Sequence, residues 1–274
     1  MRIVEGKYPA RGCSAMGIEI KNLYKSFNGR NVLKGLNLQI LDKEVITIIG
    51  ASGMGKSVLF KNIVGLLKPD SGSILVDGTD ITKIGGDELL KVQTKFGMLF
   101  QGAALFDSLD VFENVAFGIR HLTKMNDAQI KRKVRDVLEM VSLPSAERMQ
   151  VYALSGGMKK RVALARAIAT SPEYLFYDEP TTGLDPVLAE SINDLIVKIN
   201  RELKITSIAV THDMHSAFKV SHRIAFLYDG VIKTIGSGED IKNTELQSLK
   251  DFIGAFNADT IHYTSGNNAD KERL

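Results

Sequence analysis

The sequence has only one cysteine, no apolar run long enough to cross a bilayer, and almost no excess of charge. Cys13 has no partner within the chain, so an internal disulfide is excluded and a reducing compartment is expected. No stretch approaches the roughly 20 apolar residues of a membrane-spanning helix, and residues 1–17 lack the apolar centre of a secretory signal. A formal charge of +3 is too weak to indicate nucleic acid as a partner.

Short apolar runs alternate with amphipathic segments from about Gly17 onward, which is typical of an α/β protein with a largely parallel sheet. Five runs are almost continuously apolar, as strands covered by helices on both faces should be. They are Val45 to Ile49, Phe96 to Phe100, Tyr174 to Tyr177, Thr206 to Val210 and Arg223 to Tyr228. Three segments of alternating polarity, divided by Asn-Gly and Asp-Gly turns, predict antiparallel strands beside this core. They lie near Ile18 to Leu23, Asn37 to Ile40 and Ser73 to Val76.

Strand patterns fade between Asp107 and Tyr152, where apolar residues recur at helical spacing. They are Ile130, Val134, Val137, Leu138 and Val141, with Pro144 just beyond. We therefore predict a helical subdomain, at about residues 107–152, inserted into an α/β domain that covers residues 17–254. The remaining segments are an N-terminal extension (1–16) and a polar tail (255–274), which is either disordered or ordered by a partner.

A further helix is predicted to start at Pro186, because proline suits the first position of a helix. Its apolar residues form one stripe, which is better explained as core than as an interface. The stripe consists of Leu188, Ile192, Leu195, Ile196, Ile199 and Leu203.

A glycine-rich octapeptide that follows the strand ending at Ile49 fits the P-loop pattern. Its members are Gly50, Ala51, Ser52, Gly53, Met54, Gly55, Lys56 and Ser57, and the helix that it opens carries Val58, Leu59, Ile63 and Leu66. Consecutive backbone N–H groups and the helix N-terminus would cradle phosphate oxygens. Lys56 is predicted to hold the β- and γ-phosphates, Ser57 to ligate Mg²⁺, and Val58 to belong to the nucleotide site. The flanking strand and helix disfavour the alternative, a plain glycine-rich turn.

Polar side chains follow three of the predicted parallel strands. Asp178 and Glu179 end one apolar run, at the sheet edge where α/β proteins bind ligands. Asp178 suits a contact to Mg²⁺, and Glu179 suits the polarisation of a water that attacks the γ-phosphate. His212 could contact that phosphate, and Gln101 could contact Mg²⁺ or the water. Alone, His212 would be better explained as a surface or capping residue, and Gln101 would indicate little. The five histidines show no zinc spacing with the single cysteine.

A second candidate anion site lies at Leu154-Ser155-Gly156-Gly157, which precedes a helix predicted from about Met158 to Thr170. Ser155 to Gly157 offer a hydroxyl and backbone donors at a helix N-terminus. Either this site binds its own anion, or it completes the site that Gly50 to Ser57 begin in another copy of the chain. On this motif alone, a plain helix N-cap is favoured.

The order of these motifs resembles that of the ATP-binding cassette family from about Gly17 to Gly254: P-loop, Gln101, Leu154 to Gly157, Asp178-Glu179, Gly183-Leu184-Asp185-Pro186 and His212. The resemblance implies a P-loop NTPase core of the ABC ATPase type, with an antiparallel β subdomain and an inserted helical subdomain. It implies a head-to-tail dimer that encloses two ATP, in which Ser155, Gly156 and Gly157 grip the γ-phosphate of the facing subunit. It further implies that Asp185 lies in the loop linking the two sites and that Phe27 stacks on adenine, with core packing as the alternative for Phe27.

Two features are similar to the phospholipid-transport branch of that family, the Mla-type and Mce-associated ATPases. Met158 occupies a position where most of the family has Gln, so a side-chain hydrogen bond from this position is absent. Residues 99–117 resemble the branch's segment between the Gln101 loop and the helical subdomain. In the family this segment receives a short helix of the permease, and Phe106, Leu109 and Phe112 are expected to form an exposed contact patch. The alternative is that they pack the subdomain.

The resemblance implies an ATP-hydrolysing transporter subunit on the cytoplasmic side of the inner membrane, which moves phospholipid or a similar hydrophobic substrate. The implied partners are a second copy and transmembrane permease subunits, with a small accessory protein and a lipid-shuttle protein as further candidates. An importer ATPase for a polar solute such as an amino acid remains the main rival. A non-transport ABC ATPase lacks support because the chain has neither a second cassette nor a long insertion, and a non-hydrolysing sensor is disfavoured by Lys56 and Glu179.

Overall fold

The computed structural model describes residues 16–255, so Cys13, the predicted extension up to residue 15 and the tail from residue 256 lie outside the described residues. The strands are β1 (Met16–Phe27), β2 (Arg30–Leu41), β3 (Val45–Ile49), β4 (Ser71–Val76), β5 (Thr79–Asp80), β6 (Phe96–Leu99), β7 (Tyr174–Asp178), β8 (Thr206–Thr211), β9 (Arg223–Tyr228) and β10 (Val231–Gly236). The helices are α1 (Lys56–Ile63), α2 (Gly86–Gln93), α3 (Val111–Leu122), α4 (Asp127–Met140), α5 (Gly156–Ala169), α6 (Pro186–Leu203), α7 (Met214–Val220) and α8 (Gly238–Lys242).

The central sheet has six strands in the order β10-β9-β3-β8-β7-β6, and all neighbours except β10 and β9 pair in parallel. The five predicted core strands are therefore confirmed, although β6 ends at Leu99 and Phe100 lies just beyond it. Strand β10 was not predicted. It lies at the sheet edge with most of its residues half-buried, so it lacks the continuous apolar run that identified the other strands.

A second sheet, in the order β2-β1-β4-β5, is antiparallel throughout. Strands β1 and β2 have 12 residues each, so they extend well beyond the segments in which alternation was recognised. Register shifts between β1 and β2 interrupt that alternation, which explains why the pattern identified only parts of these strands. The mixed α/β fold predicted from the sequence is confirmed.

The two faces of the central sheet have different partners. Along β7, Tyr174 and Phe176 share a core with the antiparallel sheet and α1, whereas Leu175 and Tyr177 share a core with helices α3 to α6. This alternation follows from the two-residue period of a strand. Both faces are covered, which keeps the strands apolar and leaves the strand ends as the places where polar side chains reach solvent.

The predicted apolar stripes are largely, but not completely, buried. The five helical residues predicted in the subdomain, at positions 130, 134, 137, 138 and 141, are all at most 4% exposed. On α6, however, Leu188 is 38% exposed because it lies in the first turn, next to solvent. Leu66 was predicted on the first helix but lies beyond its end at Ile63 and is 59% exposed. Within residues 16–255, no helix combines the length and apolar character that a bilayer crossing requires.

Tyr174 joins the two sheets by hydrogen bonds. Its buried hydroxyl donates to Gly17 O at 3.1 Å and also to the carboxylate of Asp77, just after β4. Burial, followed by the Asp77 carboxylate, raises the pKa of Tyr174 above its usual range. The phenol therefore stays protonated and can donate at any physiological pH.

Removal of this hydroxyl should weaken the contact between the sheets. Tyr174→Phe removes the hydroxyl shared by the Gly17 carbonyl and the Asp77 carboxylate, while Gly17 O keeps the Asp77 N–H as a donor at 2.9 Å, so we expect a loss of about 0.5–1.5 kcal/mol in the free energy of unfolding. Urea unfolding of this variant and of Tyr152→Phe measures the effect. Tyr152 is 83% exposed, and its variant should match the wild type; equal stabilities for all three proteins would contradict the proposed link.

Candidate functional site

The carboxyl ends of four adjacent parallel strands carry the candidate residues. The P-loop follows β3, and Gln101 follows β6 with Phe100 between them. Asp178 ends β7, and His212 follows β8. Because β3, β8, β7 and β6 are neighbours and run parallel, their carboxyl ends lie on one edge of the sheet. The topology thus brings together residues as far apart in the sequence as Gly50 and His212, which are separated by 162 positions.

The P-loop packs closely against the sheet before it opens α1. A Cβ atom added at Gly50 would lie 2.4 Å from Leu227 O on β9, which is closer than a Cβ atom can approach a carbonyl oxygen. Gly55, the N-cap residue of α1, has a φ of 100°, which strongly favours glycine. No side chain caps α1 and no acidic residue lies in its first turn, so its first N–H groups are available to an anion.

Lys56 is buried at the base of this loop. Its Nζ donates to Gly50 O at 2.6 Å and to Ala51 O at 3.2 Å. Burial lowers the pKa of the Lys56 ammonium, and the Glu179 and Asp178 carboxylates oppose that shift. The opposing charges place Lys56 in the same electrostatic cluster as the carboxylates that end β7.

The two carboxylates differ in environment. Burial, and then repulsion from Glu179, raise the pKa of Asp178, while Lys160, Lys56 and Lys61 oppose the increase. Such a carboxylate gains most from a bound cation, because a cation favours its charged form.

The Glu179 carboxylate is held by its neighbours. Its Oε2 accepts from Thr182 Oγ1 at 3.1 Å and from Thr211 Oγ1 at 3.2 Å, and the Nδ1 of His212 is 3.0 Å from the same carboxylate. The Glu179 backbone has a φ of 47°, and its N–H donates to Val210 O at 2.9 Å. These contacts fix the orientation of a group that sequence reasoning assigned to water activation.

His212 was predicted to contact a γ-phosphate, and in this structure its nearest functional partner is Glu179. The imidazole is 52% exposed, so it remains accessible at the sheet edge. The threonine partners of Glu179 were not predicted. Thr211 is the last residue of β8, one position beyond the run Thr206 to Val210 that predicted the strand, and nothing in its local sequence indicates a contact with Glu179.

The Gln101 loop is attached to α5 by two basic side chains. Lys160 Nζ donates to Gln101 O at 2.5 Å, and Arg166 donates to Ala103 O at 2.9 Å and to Ala104 O at 2.7 Å. Ala103 and Ala104 have φ values of 61° and 50°, which are unfavourable for residues other than glycine. The loop conformation therefore depends on these donors, while the Gln101 side chain remains exposed.

Lys160 is the main functional candidate that sequence reasoning missed. It is 5% exposed, although lysine is seldom fully buried. A signal was available, because Lys160 lies three residues after Gly157 and four before Leu164, both of which are buried. A lysine at core spacing on an otherwise apolar helix face indicates a buried charge.

Ser155 and Asp185 are both helix N-caps. Ser155 Oγ accepts from Met158 N at 3.3 Å at the start of α5, and Asp185 Oδ1 accepts from Val187 N and Leu188 N, both at 3.0 Å, at the start of α6. The plain N-cap interpretation of Ser155 is thus correct within one chain. Ser155 and Gly156 are also exposed, which leaves them accessible to a second molecule. Their predicted role across an interface stays a prediction.

Phe27 lies outside the core, and the core alternative for it is wrong. The ring is 44% exposed at the end of β1, and Lys25 Nζ lies 5.4 Å from its centroid. An exposed aromatic face of this kind can stack on a planar ligand.

The predicted contact patch is only partly exposed. Phe106 is 42% exposed, but Leu109 and Phe112 are half-buried, and Phe112 packs against the core formed with helices α3 to α6. Its position in the first turn of α3 turns it toward that core. The exposed apolar surface instead continues to Phe117 on α3, whose ring is 42% exposed and lies 4.8 Å from that of Phe106.

Comparison with known proteins identifies relatives along most of the chain. A family model described as ABC transporter matches residues 33–182. The chain is 37% identical over 238 residues to the probable ribonucleotide transport ATP-binding protein mkl of Mycobacterium leprae, covering 87% of this chain and 69% of that protein. It is 40% identical over 236 residues to the intermembrane phospholipid transport system ATP-binding protein MlaF of Haemophilus influenzae, covering 86% of this chain and 89% of that protein.

A solved structure also aligns with this chain. It is the dimeric post-hydrolysis state of the ATP-binding cassette MJ0796 bound to ADP and Pi. The TM-score is 0.74 at 32% identity, covering 81% of this chain and 98% of that one.

The close approach at Gly50 gives a test of the loop geometry. Gly50→Ala forces the loop away from Leu227 O, so we expect a loss of about 1–3 kcal/mol in the free energy of unfolding. Chemical denaturation measures it. Gly102→Ala is the matched control, because a Cβ there meets nothing within 4 Å, and it should change stability by less than about 0.5 kcal/mol. A Gly50→Ala protein as stable as this control would show that the loop does not pack as described.

Proposed function

The chain belongs to the ABC transporter ATP-binding family and is an ATP-hydrolysing enzyme, and from this premise we propose that it drives phospholipid, or a similar hydrophobic molecule, through a separate permease. The observation that carries the catalytic part is the convergence of the P-loop, the oriented Glu179 carboxylate and His212 at one sheet edge. Glu179 would accept a proton from the attacking water as the water oxygen bonds to the γ-phosphorus and the bond from that phosphorus to the β–γ bridging oxygen breaks, which releases ADP and phosphate. Thr182, Thr211 and His212 would keep its carboxylate aimed at that water.

Lys56 and the first turn of α1 would hold the phosphates. The Lys56 ammonium now donates to loop carbonyls, and phosphate oxygens would compete for the same protons with a full negative charge. Ser52 to Val58 contribute backbone N–H groups to the cradle. Phe27, exposed at the end of β1, would stack on the adenine base.

The residues present fit Mg²⁺ better than a metal held by protein alone. Within residues 16–255, no group of three or more His, Cys, Asp or Glu residues could hold a metal ion. Mg²⁺ usually takes a few protein oxygens, among them one or two carboxylates, together with substrate phosphates and water. Ser57, Asp178 and Gln101 would supply those oxygens, and the ion would neutralise charge that develops on the phosphates.

A second copy of the chain would complete each site. Ser155, Gly156 and Gly157 offer donors at the N-terminus of α5, whose first turn has no acidic residue. The N-terminus of α5 in each chain would bind the γ-phosphate held by the P-loop of the partner chain. Asp185 would lie between the two sites. The solved relative MJ0796 is described as dimeric, which supports this arrangement.

The choice of phospholipid rests on sequence similarity. Met158 and residues 99–117 resemble the phospholipid-transport branch, and the relative from H. influenzae carries that function in its name. The mycobacterial relatives, about two thirds of whose length this chain spans, are named for ribonucleotide transport, so ATP-driven transport of a polar solute is the second candidate. In either case the permease would hold this subunit at the cytoplasmic face of the membrane, and accessory and lipid-shuttle proteins are further proposed partners.

Removal of the Glu179 charge should separate binding from hydrolysis. Glu179→Gln keeps the size of the side chain but cannot accept the proton of the attacking water, so we expect ATP hydrolysis to fall at least about 100-fold while ATP binding is retained. Phosphate release and nucleotide binding measure the two effects. Glu239→Gln, at an exposed position on α8, should hydrolyse ATP like the wild type. Hydrolysis by Glu179→Gln at the wild-type rate would remove Glu179 from this role.

The exposed surface of Phe106 and Phe117 should contact the permease. We expect Phe106→Ser to reduce copurification with a multi-span membrane protein from detergent-solubilised native membranes, because it removes the aromatic centre of that surface. Val197→Ser is the matched control, since Val197 is 38% exposed on α6, away from this surface. Equal recovery of the membrane protein with both variants would contradict this contact.

A further inference from the structure

A buried charge lies beside the proposed hydrolytic centre without a role in it. Lys160 is on α5, three residues after Gly157, and is 5% exposed. Burial of an ammonium is costly unless hydrogen bonds and opposite charges compensate. Burial lowers the pKa of Lys160, and the carboxylates of Asp178 and Glu179 oppose that shift. The burial of Lys160 is thus compensated by groups of the proposed site.

The hydrogen bonds of Lys160 connect the ends of two neighbouring strands. Its Nζ is 2.5 Å from Gln101 O and 3.3 Å from Glu179 O. Gln101 follows β6 and Glu179 follows β7, and these strands pair in parallel. One ammonium on a third element therefore fixes the separation of two backbone positions whose side chains are both assigned to hydrolysis.

Both carbonyl groups belong to backbone that needs support. Glu179 has a φ of 47°, and Ala103 and Ala104, two and three residues after Gln101, are also left-handed. Arg166 independently holds Ala103 and Ala104. Loss of Lys160 alone would therefore leave the far side of the Gln101 loop anchored and would release the side that faces Glu179.

We infer that Lys160 is a positioning residue, which sets the distance between Gln101 and Glu179 from the helix that begins at Ser155. This inference rests on the proposed function, because positioning matters only if those side chains take part in hydrolysis. Lys160 would act on the rate of the chemical step and not on nucleotide affinity, since neither of its two hydrogen bonds is to the P-loop. If the Lys160 side chain served only to pack the core, its substitution would change the stability of the protein and not kcat.

The test compares Lys160→Met with Lys159→Met in the full-length protein. Methionine keeps the length of the side chain but removes the charge and the donors. For Lys160→Met we expect kcat for ATP to fall at least tenfold, with KM changed less than twofold. We also expect faster amide hydrogen exchange at residues 101–104. Lys159 is the preceding residue and only half-buried, and its variant should match the wild type in all three measurements.

Two further variants test whether the hydrogen-bond donors and the length of the Lys160 side chain are required. Lys160→Arg restores donors and should recover most of kcat, and if Lys160→Met does not fold, Lys160→Gln, which is too short to reach both carbonyls, should show the same loss of kcat. Wild-type kcat in the folded neutral variant, or a rise in KM with kcat unchanged, would overturn the inference. If the wild-type protein itself did not hydrolyse ATP, the proposed function would fail, whereas unchanged exchange at residues 101–104 in Lys160→Met would refute the positioning role on its own.

Discussion

The arrangement of charge at one edge of the parallel sheet is the constraint on which the rest of the site depends. Asp178 and Glu179 are adjacent in the chain, and burial together with repulsion from Glu179 raises the pKa of Asp178. Two buried ammonium groups, on Lys56 and Lys160, offset this repulsion. A phosphate group brought to the P-loop adds further negative charge, so a cation and additional N–H donors are needed to complete the balance. The need for those donors is the physical reason to expect a second subunit.

Helix α5 connects the parts of the site that lie far apart in the sequence. Its N-terminus carries Ser155, its middle carries Lys160 beside Gln101 and Glu179, and its second half carries Arg166, which holds the Gln101 loop. The guanidinium of Arg166 also lies 5.9 Å from the ring centroid of the exposed Phe106. A displacement of α5 relative to the sheet would therefore affect the proposed hydrolytic residue Glu179 and the proposed permease surface together, through contacts that a single helix provides.

Sequence reasoning identified the features that repeat a strong local pattern. The five core strands, the P-loop and the order of the polar residues after β6, β7 and β8 follow from apolar runs and motif spacing, because burial on both faces leaves little freedom of composition. It missed β10, which is only half-buried, and it predicted exposure for Phe112, which packs against the helical core. The spacing of Lys160 indicates its burial, but its role and that of Thr211 depend on contacts across the fold, to positions 19 and 59 residues away for Lys160 and 32 for Thr211. Thr182 lies only three residues from Glu179, and its contact was missed although it is local.

The most direct measurement is whether ATP brings the P-loop of one chain against Ser155 of another. A variant with Cys13→Ser, Glu179→Gln, Ser52→Cys and Ser155→Cys has its only two cysteines at these positions, and a disulfide requires their Cα atoms to lie within about 7 Å. With ATP, Mg²⁺ and a mild oxidant, a covalent dimer is predicted on a non-reducing gel, and neither single-cysteine variant should form it. Retained ATP binding without a covalent dimer would contradict a site shared between two subunits.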